Sequence, residues 1–384
     1  MEKLRLGVIG TGSVVREIYA GFYFHSRYSP LIRVEAICDK DGATLNAFGD
    51  AYGIPPERRF TDYRELLAES ELDAVAVNTP DRLHAAPTIA ALEEGLDVLL
   101  AKPLADTVED ALAMRRAALD NERLLGVDFH KRHNPPIREA RSRALAGEYG
   151  RFQSSVWYML DELLVADPNH DPRFFATADY AAKNTPISFL TVHMADTFTF
   201  ITELEPVEVR ATGYKQKLPS LRPIPVDGYD MVDTEVLLAN GGTCHIFAGW
   251  AVPNTAHATT VQSARLIFSD GLLDLDLDRV GYREITASGI SERNVAFQNR
   301  TESGEILGFG LDSPGEILRN MLALRNGEMS RERLANLTSL FRLGFHATLI
   351  CEAAHRSLEN GTAVADGVVR GVPVSAADLV GPHA

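Results

Sequence analysis

The sequence predicts a parallel α/β sheet covered by helices on both faces, followed by an α+β domain built on an antiparallel sheet. Three observations carry this reading. Short apolar runs alternate with helical stretches as far as about residue 128, the pattern of strands buried on both faces by crossover helices. From Tyr149 onward the apolar period drops to two, as in the half-buried strands of an antiparallel sheet. The first apolar run, within LRLGVIGTGSVVR at Leu4–Arg16, breaks at glycine and is followed by a helix-compatible segment. Strand, glycine turn and helix in that order give a Gly-x-Gly its meaning.

In the first part, strands are expected at Leu4–Ile9, Ile32–Cys38, Leu72–Asn78, Gly95–Leu100 and Arg123–Val127. Helices are expected from Ser13, between Asp81 and Glu94, and over Asp106–Asn121, with GFYFHSRYSP lengthening the first crossover. Pro135 and Pro136 start a further helix that runs to about Ala146. Strands then follow at Arg151–Leu160, Val207–Tyr214, Thr234–Ala239, Thr243–Trp250, Arg265–Ser269 and Leu272–Leu277. One helix, Pro186–Ile201, falls between the first two of these, and two more, Pro314–Asn326 and Arg331–Leu358, lie near the end. At 384 residues the chain is long for one core, and the change of period divides it into 1–128 and 129–384.

The glycine turn is a candidate phosphate cradle. Gly10 would make the tight bend, and Gly12 has no Cβ to hold a pyrophosphate away from the backbone. The helix entered through Thr11, Ser13 and Val14 would aim its unpaired N–H groups and positive dipole end at that phosphate. Val15 stands where a third glycine is usual, and a bare Gly-x-Gly is also a common tight turn. Asp39 closes the second strand about 29 residues after Gly10, against a usual spacing of about 20. A carboxylate there can accept hydrogen bonds from a ribose and repels a 2′-phosphate, so NAD is favoured, while Lys40 next to it would tolerate NADP. Ligands of such sheets sit at the carboxyl ends of the strands. Gly10, Asp39, Asn78-Thr79-Pro80, Lys102-Pro103 and Asp128-Phe129-His130 should therefore line one crevice.

Composition excludes some classes. A formal charge of −15 with no basic run argues against a nucleic-acid partner. No apolar run approaches the roughly 20 residues of a membrane span, and the first residues lead straight into a strand, leaving no room for a signal segment. Cys38, Cys244 and Cys351 are odd in number and far apart, which fits buried thiols in a reducing, cytoplasmic setting.

Lys102 follows an apolar strand and precedes Pro103, which restricts its backbone and makes a cis bond accessible. Near apolar surface and a cationic nicotinamide its charged form is disfavoured, so it can accept a hydroxyl proton; the alternative is a solvated lysine at a strand end. His193 lies within SFLTVHMADTFTFI and shares a helix face with Phe189, Asp196, Thr197 and Phe200. Asp196 could orient the imidazole, or the histidine could be a satisfied core residue. His130 and His133 have no carboxylate or cysteine arranged with them, so no metal site is expected. Arg132 could clamp a hydroxyl, carboxylate or phosphate. The loop Asp161–Arg173 could supply sugar-hydroxyl contacts or be an ordinary solvated loop.

These pieces in this order resemble the glucose–fructose oxidoreductase, inositol dehydrogenase and rhizopine catabolism (Gfo/Idh/MocA) family. The stretches that carry the resemblance are LRLGVIGTGSV, VNTPDRLHAAPTIAALEEGLDVLLAKPLA, GVDFHKRHNP and FLTVHMADT. The resemblance implies a Rossmann domain, an open-faced antiparallel sheet, bound NAD or NADP, and hydride transfer at a secondary alcohol or ketone of a sugar, sugar derivative or cyclitol. It places Lys102 at the family's catalytic lysine and His193 at its active-site histidine, and puts His84 among the cofactor-side residues. It also implies a homodimer or homotetramer through the exposed sheet face. Two positions depart from the family: Ala101 stands for a glutamate before the lysine, and Phe189 for an aspartate four residues before the histidine. Phe189 cannot take a proton, so the relay must be simpler or use Asp161 or Asp196. Two other classes remain on the same fold, a cofactor-binding sensor and an NAD-dependent glycoside hydrolase.

Overall fold

The computed structural model describes residues 3–175, 177–279, 283–286, 289–292, 294, 296–330 and 339–381. They form two compact units, Met1–Asn134 with Ala296–Phe345, and Pro135–Val295 with His346–Ala384. The first unit holds six parallel strands: β1 (Leu4–Ile9), β2 (Ile32–Cys38), β3 (Arg59–Phe60), β4 (Ala74–Val77), β5 (Asp97–Ala101) and β6 (Leu125–Asp128). Their order is β3-β2-β1-β4-β5-β6, which reverses direction beside β1 and makes the crevice at its carboxyl end a ligand position. Val75, Val77, Val98 and Leu100 face one apolar layer, and Leu6, Val8, Ala76 and Leu99 the other.

That second layer also draws on residues from late in the chain. Leu311, Leu318, Met321 and Leu322 of the helix Phe309–Arg325 pack into the same cluster as Leu4, Leu6 and Leu99. Gly126 on β6 admits Ile317, whose Cγ2 would lie 2.4 Å from any added Cβ. A late helix therefore completes the early sheet, because β5 and β6 would otherwise leave apolar side chains in water. Chain order alone cannot reveal this.

The second unit carries a nine-stranded sheet. Its main strands are β7 (Phe152–Glu162), β8 (Pro206–Tyr214), β9 (Met231–Leu238), β10 (Thr243–Val252), β11 (Thr260–Phe268) and β12 (Leu272–Asp276), ordered β12-β11-β7-β10-β9-β8. It is mostly antiparallel, but β7 and β10 run parallel. Alternation along β7 buries Ser155, Trp157 and Met159 and leaves Tyr158 40% exposed, stacked on Phe247 of β10. One face is thus covered by the helix Val192–Thr202, with Phe198 against Trp157. The expected helix Arg331–Leu358 is found as Ser339–Glu359; residues 331–338 lie outside the described residues. No helix among the described residues is long and apolar enough to cross a membrane.

Gly10 is the residue the first sheet cannot replace. Its φ is +94°, and an added Cβ would lie 2.6 Å from the Asn78 carbonyl oxygen. Gly12 has no such neighbour within 4 Å. Gly10→Ala is expected to cost at least about 1–3 kcal/mol of stability, whereas Gly12→Ala leaves the urea midpoint near that of the wild type; equal midpoints for the two variants would contradict the turn geometry.

Candidate active site

At the carboxyl end of β1 three strands are laced together. The Gly10 amide donates to the Cys38 carbonyl at 2.8 Å, and the Asn78 amide to the Ile9 carbonyl at 2.8 Å. The Asp39 carboxylate accepts from the Thr11 amide at 2.8 Å and from the Thr11 hydroxyl at 3.1 Å, while its other oxygen takes the Asp41 amide at 3.0 Å. Asp39 is therefore a half-buried, held carboxylate rather than a loose strand end. Asp41 caps the helix Gly42–Tyr52 through the Ala43 and Thr44 amides, and those bonds draw its carboxyl below the usual range.

The predicted cofactor-side residues fall into two groups. Gly12, Ser13, Val14, Asp39, Lys40, Asn78, Thr79, Pro80 and Lys102 are all at least partly accessible. Thr11, His84 and Pro103 are buried. The His84 Nδ1 lies 2.9 Å from the Pro103 carbonyl and its Nε2 2.9 Å from the Thr79 carbonyl. The ring ties the loop after β4 to the Lys102–Pro103 turn, whose peptide bond is cis. Burial lowers its proton affinity, and the nearby Lys102 charge lowers it further.

Lys102 is half-buried and follows β5 directly. His130, packed between the rings of Phe297 and Phe309, also feels its charge. Burial first, then Lys131 and Lys102, hold His130 well below the ordinary imidazole range. Arg132, expected as an open clamp, is buried with its guanidinium 4.8 Å from the centre of the Phe129 ring, a stacking position rather than an exposed one. His133 reaches toward Glu316, 3.7 Å away; among the described residues no cluster of three or more His, Cys, Asp or Glu could hold a metal.

The remaining predicted residues lie in the second unit. Asp161 is buried near the end of β7, paired in register with Thr260 rather than in a solvated loop. The helix bearing His193 begins with a π-turn over Ile187–Thr191. Between Ile187 and Ile201 only Ser188, Phe189 and His193 are half-open, and Asp196 is buried. The Ser188 hydroxyl is 3.0 Å from His355 Nε2, and burial drives the His355 pKa down to about 4, so this imidazole is neutral at neutral pH.

In the sequence Asp128 stands at a strand end with no role assigned to it. Its carboxylate accepts from the Tyr19 hydroxyl at 2.5 Å, and Tyr19 stacks on Tyr23, which takes a long bond from Asn78 Nδ2 at 3.4 Å. Asp128 pairs in register with Ala101, so this carboxyl lies one strand across from the alanine before Lys102. The i, i+4 spacing of Tyr19 and Tyr23 was the available signal. Burial pushes Asp128 up to about 6. Its folded state thus holds the proton more tightly than the unfolded chain, and its contribution to stability falls as pH rises from about 4 to about 6. Asp128→Asn should gain on the wild type by up to about 3 kcal/mol over that window, measured by urea unfolding at each pH; a constant difference would mean an ordinary carboxyl.

Residues 4–129 match the Gfo/Idh/MocA family model, an oxidoreductase family with an NAD-binding Rossmann fold. The 1,5-anhydro-D-fructose reductase of Ensifer adhaerens is 30% identical over 211 residues, 55% of this chain and 60% of that protein. The inositol 2-dehydrogenase of Mycolicibacterium smegmatis is 31% identical over 152 residues, 39% of this chain and 43% of the relative. The chain thus spans about half the length of the curated relatives it matches. In structure, the scyllo-inositol dehydrogenase of Lactobacillus casei, crystallised with NAD(H) and scyllo-inositol, aligns over 96% of this chain and 99% of its own with a TM-score of 0.71 at 16% identity. That likeness is one of fold.

Proposed function

We propose that this protein, whose residues 4–129 match the Gfo/Idh/MocA family model, is an NAD(P)-dependent dehydrogenase or reductase of a sugar, sugar derivative or cyclitol. The observation that carries the proposal is Lys102, a half-buried lysine at the carboxyl end of β5, with its turn held by His84 and with two imidazoles of lowered proton affinity beside it.

The residues present fit the dinucleotide. A Cβ on Gly12 would meet no protein atom within 4 Å, so no packing neighbour requires glycine there, whereas a close phosphate would. The held Asp39 carboxylate would receive a ribose hydroxyl and disfavour a 2′-phosphate, which favours NAD over NADP; Lys40 is exposed beside it. When bound, the nicotinamide supplies the hydride acceptor or donor. Lys102 takes the proton from the substrate hydroxyl in oxidation and returns it to the carbonyl oxygen in reduction. This reading assigns His193 a hydroxyl of the substrate, and the lowered proton affinity of His130 leaves the proton transfer to the lysine. The same reading includes a homodimer or homotetramer in the cytoplasm. The exposed apolar sheet face around Tyr158 and Phe247 and the three buried cysteines, none in a disulfide, support it.

Absorbance at 340 nm with NAD or NADP and a panel of sugars, sugar acids and inositols tests the activity. Lys102→Ala should lower kcat by about 10²–10⁴-fold, and an unchanged rate removes the lysine from the mechanism. Calorimetry of Gly12→Ala with NAD should show at least about tenfold weaker binding in a protein of unaltered stability. Tight binding without turnover on any substrate would instead favour a sensor.

A further inference from the structure

The half-open stripe of the His193 helix has an unusual neighbour for a hydroxyl-binding position. Phe189, one turn before His193, meets the rings of Phe175 at 5.5 Å, Tyr180 at 5.8 Å and Trp250 at 6.1 Å between centroids. Phe175 and Tyr180 stack at 3.5 Å with 15° between their planes. Phe174, 52% exposed, stands edge-on to Phe175 at 5.0 Å. Trp250 is fully buried and its indole N–H is spent on the Tyr229 carbonyl, so it presents carbon to Phe189. The polar residue of the stripe, Ser188, is engaged with His355. Five aromatic rings therefore form one cluster, a wall that runs from buried Trp250 through half-buried Phe189 to Phe174 at the surface.

A substrate hydroxyl lying against these rings would exchange water for ring carbon. Burial of an unpaired hydroxyl is unfavourable, and burial of an alkyl or aryl group in the same place is favourable. We infer that Phe189 and its aromatic neighbours set specificity for a polyol that carries an apolar alkyl or aryl substituent beside the hydroxyl held by His193. The inference rests on the oxidoreductase reading for the role of His193, but the wall itself does not. Aromatic rings also stack on the C–H face of a pyranose, so the glycosidic substituent and the sugar ring add rather than compete.

The test compares phenyl β-D-glucopyranoside with D-glucose, by calorimetric titration of the NAD-saturated protein and by initial rates at 340 nm. The wild type should prefer the phenyl glycoside by about 10–100-fold, the range set by apolar pocket contacts. Phe189→Asp should bring the ratio to about one or below by removing the central ring, an effect on the same scale. Phe174→Ala, at an exposed position that the fold tolerates, should lower it several-fold. Equal affinities in the wild type, no binding of either sugar, or a preference that both variants leave intact would overturn the proposal. Preferential binding of the phenyl glycoside, lost in Phe189→Asp and accompanied by no NADH, would uphold the wall and overturn the dehydrogenase reading instead.

Discussion

The close approach of Gly10 to the Asn78 carbonyl is the constraint on which the first unit depends. Only a residue without Cβ lets β1 end against the turn after β4. That contact places the Thr11 amide on Asp39 and the Asn78 amide on Ile9. The ends of β1, β2 and β4 are then fixed relative to one another by backbone bonds and one carboxylate. His84 extends the same lacing to β5, because it holds the Thr79 and Pro103 carbonyls at once. Lys102 follows directly at the end of this chain of ties.

A comparable division of labour runs through the second unit. The sheet buries Trp157 and Trp250 on its covered side, and the helix packed there is buried almost everywhere except at Ser188, Phe189 and His193. A π-turn at the start of that helix adds a residue to one turn. It displaces Ser188 and Phe189 from ordinary α-helical phase, with the serine turned to His355 and the phenylalanine to the aromatic wall. Polar and apolar functions thus occupy adjacent residues without competing.

What could be read from the sequence was local. The glycine turn, the strand ends and the Lys-Pro step are defined by neighbours within a few residues, and the structure keeps each where the pattern put it. Strand β3 escaped because Arg59–Phe60 is too short to show a period. The bond from Tyr19 to Asp128 joins residues 109 apart, and no spacing rule reaches that far. The burial of Arg132, Asp161 and Asp196 likewise depends on distant packing. A charged residue near a strand end looks accessible in sequence, and only tertiary contacts close it. The parallel pairing of β7 and β10 is of the same kind, since alternating burial has no direction.

The helix Phe309–Arg325, which covers the early sheet, also orders events during synthesis. The six strands of that sheet leave the ribosome long before their cover, by a delay on the order of tens of seconds at usual elongation rates. During that time the face that will hold Leu318 and Met321 has only nascent chain or a chaperone to shield it. The early unit therefore cannot mature in the order in which it is made. A chain terminated between the two halves would leave an incomplete domain with an exposed apolar face, not a smaller working one.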